Sequence, residues 1–174
     1  MSFFSQRVSR IQPSPTISIT AKAKKLKQEG KKIIDFSSGE PDFDTPDNIK
    51  SAAVKAIQDG ETKYTPVNGT KELIEAIIKK FKRENDLVFE SDEITVGCGG
   101  KQVIYNALVA TIEKGDEIII PAPFWVSYPD MALLVEGHPI VLDSSLENNF
   151  KINPQDLENK ITNRTKWLIL NSPS

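Results

Sequence analysis

The sequence predicts an α/β fold built on a parallel sheet, and three observations carry that prediction. From Asp92 onward, strand-like and helix-like segments alternate. The strand-like segments Ile118-Ile119-Ile120, Ile140-Val141-Leu142 and Trp167-Leu168-Ile169-Leu170 are apolar without polar alternation, as strands covered on both faces are. Glycines, prolines and polar turns bound them, which is the chemistry of short βα connections.

Composition narrows the function classes. The chain has 174 residues, of which 39% are hydrophobic and 26% charged, so it folds around a core instead of staying disordered. Its 22 basic and 24 acidic residues leave a net charge of −2. With no broad basic face, nucleic acid and anionic membrane are poor partners. One cysteine, Cys98, excludes an internal disulfide framework and a CxxC metal knuckle. One histidine, His138, argues against a His-built zinc site and a Ser-His-Asp triad. No apolar run approaches the roughly 20 residues of a membrane span, and no apolar stretch follows a basic start within residues 1–7. These readings describe a soluble, cytoplasmic protein.

In chain order, Ser14-Pro15-Thr16 breaks the backbone and a helix follows from Ile17 to Glu29, with Ile17, Ala21 and Leu26 on one side and Gly30 as its stop. Ile33-Ile34-Asp35-Phe36 is a short strand candidate running into the turn residues 37–42. Thr45-Pro46 starts a helix, as cap and first-turn proline, whose apolar face is Ile49, Ala52, Ala53, Ala56 and Ile57. After a loop from Thr62 to Gly69, the residues Leu73, Ile74, Ile77, Ile78 and Phe81 fall at helical spacing, to about Asn85. Ile94-Thr95-Val96 is a strand, 97–100 a glycine turn, and Gln102 to Ile112 a helix. Strands at 117–120, 140–142 and 167–170 alternate with helices at Ser127–Val135 and from the Asn153-Pro154 cap to Ile161. The last strand has no covering helix after it, so the chain reads as the N-terminal part of a longer protein.

Three places along this frame carry chemistry. In Gly97-Cys98-Gly99-Gly100-Lys101 the glycines allow a ligand close to the backbone, and the following helix start favours an anion. It is neither a Walker A loop, which needs Gly at Thr95 and Ser or Thr at Gln102, nor a GxGxxG, whose third glycine falls at Gln102. A plain packing turn is the other reading. Trp125, after the strand that ends in Pro121 and Pro123, offers a flat face to an aromatic ligand or fills the core. Glycine turn and indole both leave the carboxyl ends of neighbouring strands, so together they describe a flat ring carrying a phosphate. Tyr64, in Tyr64-Thr65-Pro66, either reaches a phosphate with its hydroxyl or is a surface loop residue. Lys101 is an anion contact or a solvated first-turn lysine. Cys98 is read as a small packed residue and His138 as structural.

Several segments then align with one family. Ser38-Gly39-Glu40-Pro41-Asp42-Phe43-Asp44-Thr45-Pro46 resembles the GEPDFDTP segment of fold-type I aminotransferases. Lys63-Tyr64-Thr65-Pro66-Val67-Asn68-Gly69, Gly99-Gly100-Lys101-Gln102 and Pro123-Phe124-Trp125-Val126-Ser127-Tyr128-Pro129 match the same group in the same order. Asn171-Ser172-Pro173-Ser174 resembles the start of its Asn-Ser-Pro-x-Asn-Pro-x-Gly element. The resemblance covers essentially the whole chain and is greatest to bacterial aspartate aminotransferases. One departure is Ile74, where relatives often carry arginine.

The resemblance implies pyridoxal 5′-phosphate as cofactor, amino acid and 2-oxo acid substrates, and a homodimer. It implies that Gly99 and Gly100 offer amides to the phosphate, that Trp125 stacks on the pyridine ring, and that Tyr64 reaches the phosphate of the other subunit's cofactor. Gly39 would border the substrate carboxylate, and Lys101 would lie near the distal carboxylate of a dicarboxylic substrate. It also implies a division into residues 1–45, an N-terminal arm with helical segments of the small domain, and 46–174, the first part of the large cofactor-binding domain. The Schiff-base lysine lies beyond Ser174 in this alignment, so no residue here is assigned the catalytic role and the chain is expected to be inactive by itself. Transfer of the amino group of L-aspartate to 2-oxoglutarate is the leading expectation. An aromatic, alanine or prephenate aminotransferase is the alternative within the fold, and a non-catalytic phosphate- or nucleotide-binding module the alternative outside it.

Overall fold

The computed structural model describes residues 3–37 and 39–172. Met1 and Ser2 of the amino-terminal reading, Ser38 of the 38–46 segment, and Pro173 and Ser174 of the last motif lie outside them. The chain forms two compact units, one of residues 1–37 and 104–174 and one of residues 38–103.

The first unit holds the sheet. Its strands β1 (Glu117–Pro121), β2 (His138–Leu142) and β3 (Thr165–Leu168) are parallel, in the order β2-β1-β3. Glu117 to Pro121 pair in step with His138 to Leu142. Against β3, Glu117 aligns with Thr165 and Ile118 with Trp167, so Lys166 is passed over at an irregularity. Ile118, Ile119 and Ile120 are completely buried, which is why this run needs no polar alternation. Ile118 and Ile120 join Leu108 and Ile112, at the end of α4 (Gly100–Thr111), and Tyr128, Met131 and Ala132 of α5 (Ser127–Leu134) in one cluster. Ile119, Leu157 and Ile161 line a separate cavity of about 260 Å³ beside α6 (Pro154–Lys160), whose first turn is capped by Asn153. The indole N–H of Trp167 donates to Thr111 Oγ1 at 2.8 Å, tying β3 to the end of α4.

The amino end of the sheet is closed by a buried carboxylate. Glu117, 3% exposed, accepts from the Thr162 hydroxyl at 2.6 Å, the Thr165 hydroxyl at 3.2 Å and the Arg164 guanidinium at 2.9 Å. These donors, the Thr162 hydroxyl foremost, hold its pKa below the usual glutamate value against the opposing effect of burial. Beside it, Asp116 accepts from the Glu113 amide at 2.8 Å and pairs with Lys166 at 2.9 Å, and its pKa is lowered for those reasons in that order.

In the same unit, α1 (Pro15–Gln28) starts two residues earlier than the sequence reading. Its inward face is Thr16, Thr20, Ala23 and Leu26, whereas Ile17 and Ala21 are exposed. The strand expected at 33–36 has no ladder partner among the described residues: Ile34 and Phe36 are exposed, and the segment is held through Asp35 instead. The Asp35 carboxylate accepts from the Ser37 hydroxyl and amide and pairs with Lys27 at 3.2 Å. The Ser37 hydroxyl bond, its amide bond and Lys27, in that order, hold the Asp35 pKa at about 2.

The second unit contains α2 (Asp47–Gln58), α3 (Lys71–Asn85) and the glycine turn that leads into α4. Pro46 is itself the N-cap of α2 and not its first helical residue. The apolar face read for α2 exists in pattern, but Ile49 and Ile57 are 53% and 66% exposed, so nothing among the described residues covers it. α3 is capped by Thr70 Oγ1, which accepts from the Leu73 amide. It buries Ile74, with Ile77, Ile78 and Phe81 partly buried on the same side. The Ile74 departure is therefore a packing residue. Ile94–Val96 is a second correction: the backbone is extended at Ile94 but forms no ladder, and Val96 N–H donates to the Asn68 carbonyl at 3.0 Å. An apolar extended segment becomes a strand only when a neighbour supplies the complementary row of hydrogen bonds. Among the described residues the sheet therefore has three strands.

The carboxylates give an expected acid response. A carboxyl whose folded pKa lies below its unfolded value stabilises the fold above the unfolded value and loses that contribution as pH falls through the folded one. For Asp35 that window runs from about pH 4 down to about 2. Glu117→Gln is expected to melt lower than the native protein at pH 7, with the gap narrowing at pH 3. Thermal melts of both at the two pH values check it, and a constant gap would show that ionisation of Glu117 contributes nothing.

Candidate functional site

The glycine turn is shaped by its own hydrogen bonds. Gly99 N–H donates to the Gly97 carbonyl at 2.8 Å, and the Gly99 carbonyl accepts from the Gln102 and Val103 amides at 3.1 and 3.3 Å. Cys98 N–H donates to Gln102 Oε1 at 2.6 Å. Gly99 has φ +91°, a conformation that glycine adopts without strain. A Cβ added to Gly97 would lie 2.8 Å from Val103 Cγ2 and 3.0 Å from Gln102 Oε1. On Gly99 or Gly100 it would meet nothing within 4 Å, so the backbone there is open to a ligand.

α4 begins at Gly100 and not at Gln102, which draws Gly100 and Lys101 into its first turn. A first-turn amide has no intrahelical acceptor and lies at the positive end of the helix dipole. The two glycine amides are thus not equivalent. That of Gly100 points out of the helix, whereas that of Gly99 is engaged by Gly97 and must leave it to reach an anion. Lys101 is exposed on the same turn.

Tyr64 is fully exposed in the loop between α2 and α3, and Gly39 is exposed in irregular backbone with open space where a Cβ would be. Gly39, Tyr64, Gly99, Gly100 and Lys101 belong to the second unit, and Trp125 to the first. Cys98, read as packed, is exposed: the Cys98 amide, and not its thiol, is the group engaged by the turn. His138 is exposed at the start of β2.

Trp125 stands in the turn between β1 and α5, and its carbonyl accepts from the Tyr128 amide at 3.0 Å. Its ring meets Tyr128 edge to face, with centroids 5.4 Å apart and planes at 88°. Tyr128 is the aromatic that fills the core, at 9% exposure, while Trp125 keeps 42% of its surface. A partly exposed indole at this place is suited to covering a flat ring. Nearby, at the carboxyl ends of β1 and β3, a hollow of about 70 Å³ is lined by Ile120, Pro121, Phe124, Tyr128, Leu170 and Asn171. Open parallel sheets place ligands at this edge. The Ala122-Pro123 bond in its lining is cis, and the Ser144 hydroxyl donates to the Ala122 carbonyl.

The residue that the sequence reading missed is Gln102. No local signal marks it: its oxygen accepts from the Cys98 amide, one residue before the N-cap amide that a capping box engages. Among the described residues no cluster of three or more His, Cys, Asp or Glu could hold a metal ion, and no helix is long and apolar enough to cross a membrane.

Comparison with known proteins adds identity to this geometry. The family model described as aminotransferase class I and II matches residues 31–174. A probable aspartate/prephenate aminotransferase of Rickettsia conorii is 57% identical over all 174 residues, which cover 43% of that protein. The aspartate/prephenate aminotransferase of Cereibacter sphaeroides is 56% identical, with 100% of this chain and 44% of that protein covered. Among solved structures, the aspartate aminotransferase of Rhizobium meliloti superimposes with a TM-score of 0.94 at 47% identity, covering 100% of this chain and 44% of the other. The Thermus thermophilus aspartate aminotransferase with maleate gives 0.95 at 41% identity, covering 100% and 46%. The chain spans less than half the length of these relatives.

The turn geometry predicts an asymmetry between the two open glycines. Gly99→Ala is expected to destabilise by about 1 kcal/mol, because its φ is positive, whereas Gly100→Ala, at an unstrained helical position, changes stability little. Denaturant titration of the two variants measures it; equal losses would contradict the conformation described.

Proposed function

The chain belongs to the class I and II aminotransferase family, and from that premise we propose that it forms the phosphate- and ring-binding part of a pyridoxal-phosphate-dependent enzyme that transfers the amino group of L-aspartate to 2-oxoglutarate. The observation that carries this reading is the 57% identity, across every residue of the chain, to a protein named for aspartate and prephenate. When bound, the cofactor supplies an electron sink for the charge left at the substrate Cα.

The residues present fit that cofactor. Gly99 and Gly100 leave open backbone at a helix start, which suits a phosphate, and the half-open face of Trp125 suits a pyridine ring. In this reading Gly100, and Gly99 once released from Gly97, hold the phosphate. Trp125 orients the ring and keeps water from one face. Gly39 borders the substrate carboxylate through its backbone, and Lys101 attracts the distal carboxylate of a dicarboxylic substrate. Tyr64 reaches the phosphate of the neighbouring subunit in a homodimer, to which its complete exposure within one chain corresponds. Residues 46–174 belong to the large domain and 1–45 to the arm and small domain. The Schiff-base lysine comes from outside this segment, and the enzyme works in the cytoplasm.

The relatives' names also favour a second reading, in which prephenate is the amino acceptor. Assay of the full-length protein with aspartate or glutamate as donor and 2-oxoglutarate or prephenate as acceptor separates the two. Borohydride reduction followed by mass analysis is expected to show one pyridoxyl group on a lysine beyond residue 174. Absence of any adduct, with binding of nucleotide instead, would replace the enzyme by a phosphate-binding module.

Lys101 provides the specificity test. Lys101→Met is expected to lower kcat/KM for aspartate about tenfold or more, the scale of a charge-assisted hydrogen bond, and to spare a monocarboxylic donor such as alanine. Equal losses for both donors would remove Lys101 from distal-carboxylate recognition.

A further inference from the structure

We infer that Gln102 is the positioning residue of the phosphate-binding turn: it selects which backbone amides the turn turns outward, and so sets affinity for the phosphate and not for the ring. This rests on the cofactor reading above.

Four residues in succession, Gly97 to Gly100, carry N–H groups at the entrance to α4, and a phosphate competes for them with the turn itself. Cys98 N–H is taken by Gln102 Oε1 at 2.6 Å, the shortest hydrogen bond of the turn. Gly99 N–H is taken by Gly97 O at 2.8 Å, in a tight three-residue turn. Gly100, the first helical residue, keeps its N–H outside the intrahelical ladder. A contact between residues 98 and 102 closes the turn over the first helical residues, so Gly99 and Gly100 bulge outward between its two anchors. Their open Cβ directions are the result.

Gly97 belongs to the same device. The space a Cβ would occupy at Gly97 is filled by Val103 Cγ2 at 2.8 Å and by Gln102 Oε1 at 3.0 Å. The glutamine therefore lies flat against the Gly97 backbone, and that contact holds its oxygen under the Cys98 amide. Without the Gln102 oxygen, the Cys98 N–H loses its intramolecular acceptor and the turn gains conformations in which the backbone at Gly99 and Gly100 is no longer held open. A phosphate then has to order the turn on binding, which lowers affinity by the fraction of time the turn is competent. The ring, held elsewhere, is indifferent to this.

The experiment uses the full-length protein stripped of cofactor and titrated, by absorbance or fluorescence, with pyridoxal 5′-phosphate and separately with pyridoxal, which lacks the phosphate. Gln102→Leu keeps the size and removes the acceptor. It is expected to raise the Kd for pyridoxal 5′-phosphate about tenfold, the scale of one hydrogen bond, and the Kd for pyridoxal less than about twofold. Gln102→Glu keeps an acceptor at the same reach and is expected to recover most of the ordering, seen as slow hydrogen exchange at 97–100, which Gln102→Leu loses. Gly97→Ala, whose Cβ would press on both Val103 Cγ2 and Gln102 Oε1 and leave the chemistry of the glutamine unchanged, is expected to reproduce the phosphate-selective loss and decides the matter if Gln102→Leu does not fold. Native affinity for pyridoxal 5′-phosphate in Gln102→Leu, or in Gly97→Ala should that variant be the one that folds, overturns the inference, as does an equal loss for both ligands. A native protein that binds neither overturns the cofactor reading instead.

Discussion

The sheet of the first unit and the helices packed on it are organised around β1. Its three isoleucines have no solvent-exposed side, since strands flank it on both edges and side chains cover both faces. Burial of a Leu- or Ile-sized side chain stabilises by roughly 1.5–3 kcal/mol, so three in succession anchor the register of the sheet. The position of β1 decides the rest. α4 and α5 lie against Ile118 and Ile120, β3 is tied to α4 through Trp167 and Thr111, and the chain leaves β1 at Pro121 toward the turn bearing Trp125.

The two ends of that strand are chemically opposite. The amino end holds Glu117, whose carboxylate is matched by two hydroxyls and a guanidinium. A buried carboxylate without such partners would have to take up a proton or break the fold. The carboxyl end is aromatic and carries no buried acid among the residues that line its hollow. Successive loops of a parallel sheet lie at alternate ends of its strands, which keeps these two chemistries apart. The acidic network thereby lies at the edge away from the open indole, where a negative charge would oppose a phosphorylated ligand.

The glycine turn shows the limit of reading chemistry from residue types. Glycines before a helix imply backbone accessible to an anion, and the structure has that openness at positions 99 and 100. Composition does not say which amides remain available after the turn has satisfied itself. That is settled by Gln102 and Gly97, one of which reads as an ordinary helix residue and the other as one more glycine. Membership of the family leaves this open, and the internal bonds of the turn decide how its backbone is presented.

Much of the fold was legible because it depends on local pattern. The unalternated apolar runs at 118–120 and 140–142 marked a parallel sheet, and helical spacing marked α3 through Ile74, Ile77, Ile78 and Phe81. The Asn153-Pro154 pair marked the start of α6, and the order of the short motifs marked the family. What the tertiary structure alone decided depends on partners distant in sequence. Among the described residues, Ile94–Val96 and Ile33–Phe36 have strand composition but no neighbouring ladder, the apolar stripe of α2 stays largely uncovered, and α1 turns Ala23 inward in place of Ala21. Trp125 and Tyr128, equally aromatic and three residues apart, divide into a partly exposed ring and a buried one. Local sequence specifies backbone conformation and the side of an element that is apolar, because those are properties of a few adjacent residues. Pairing, burial and the direction of a particular amide belong to pairs of segments, and only the folded chain brings those together.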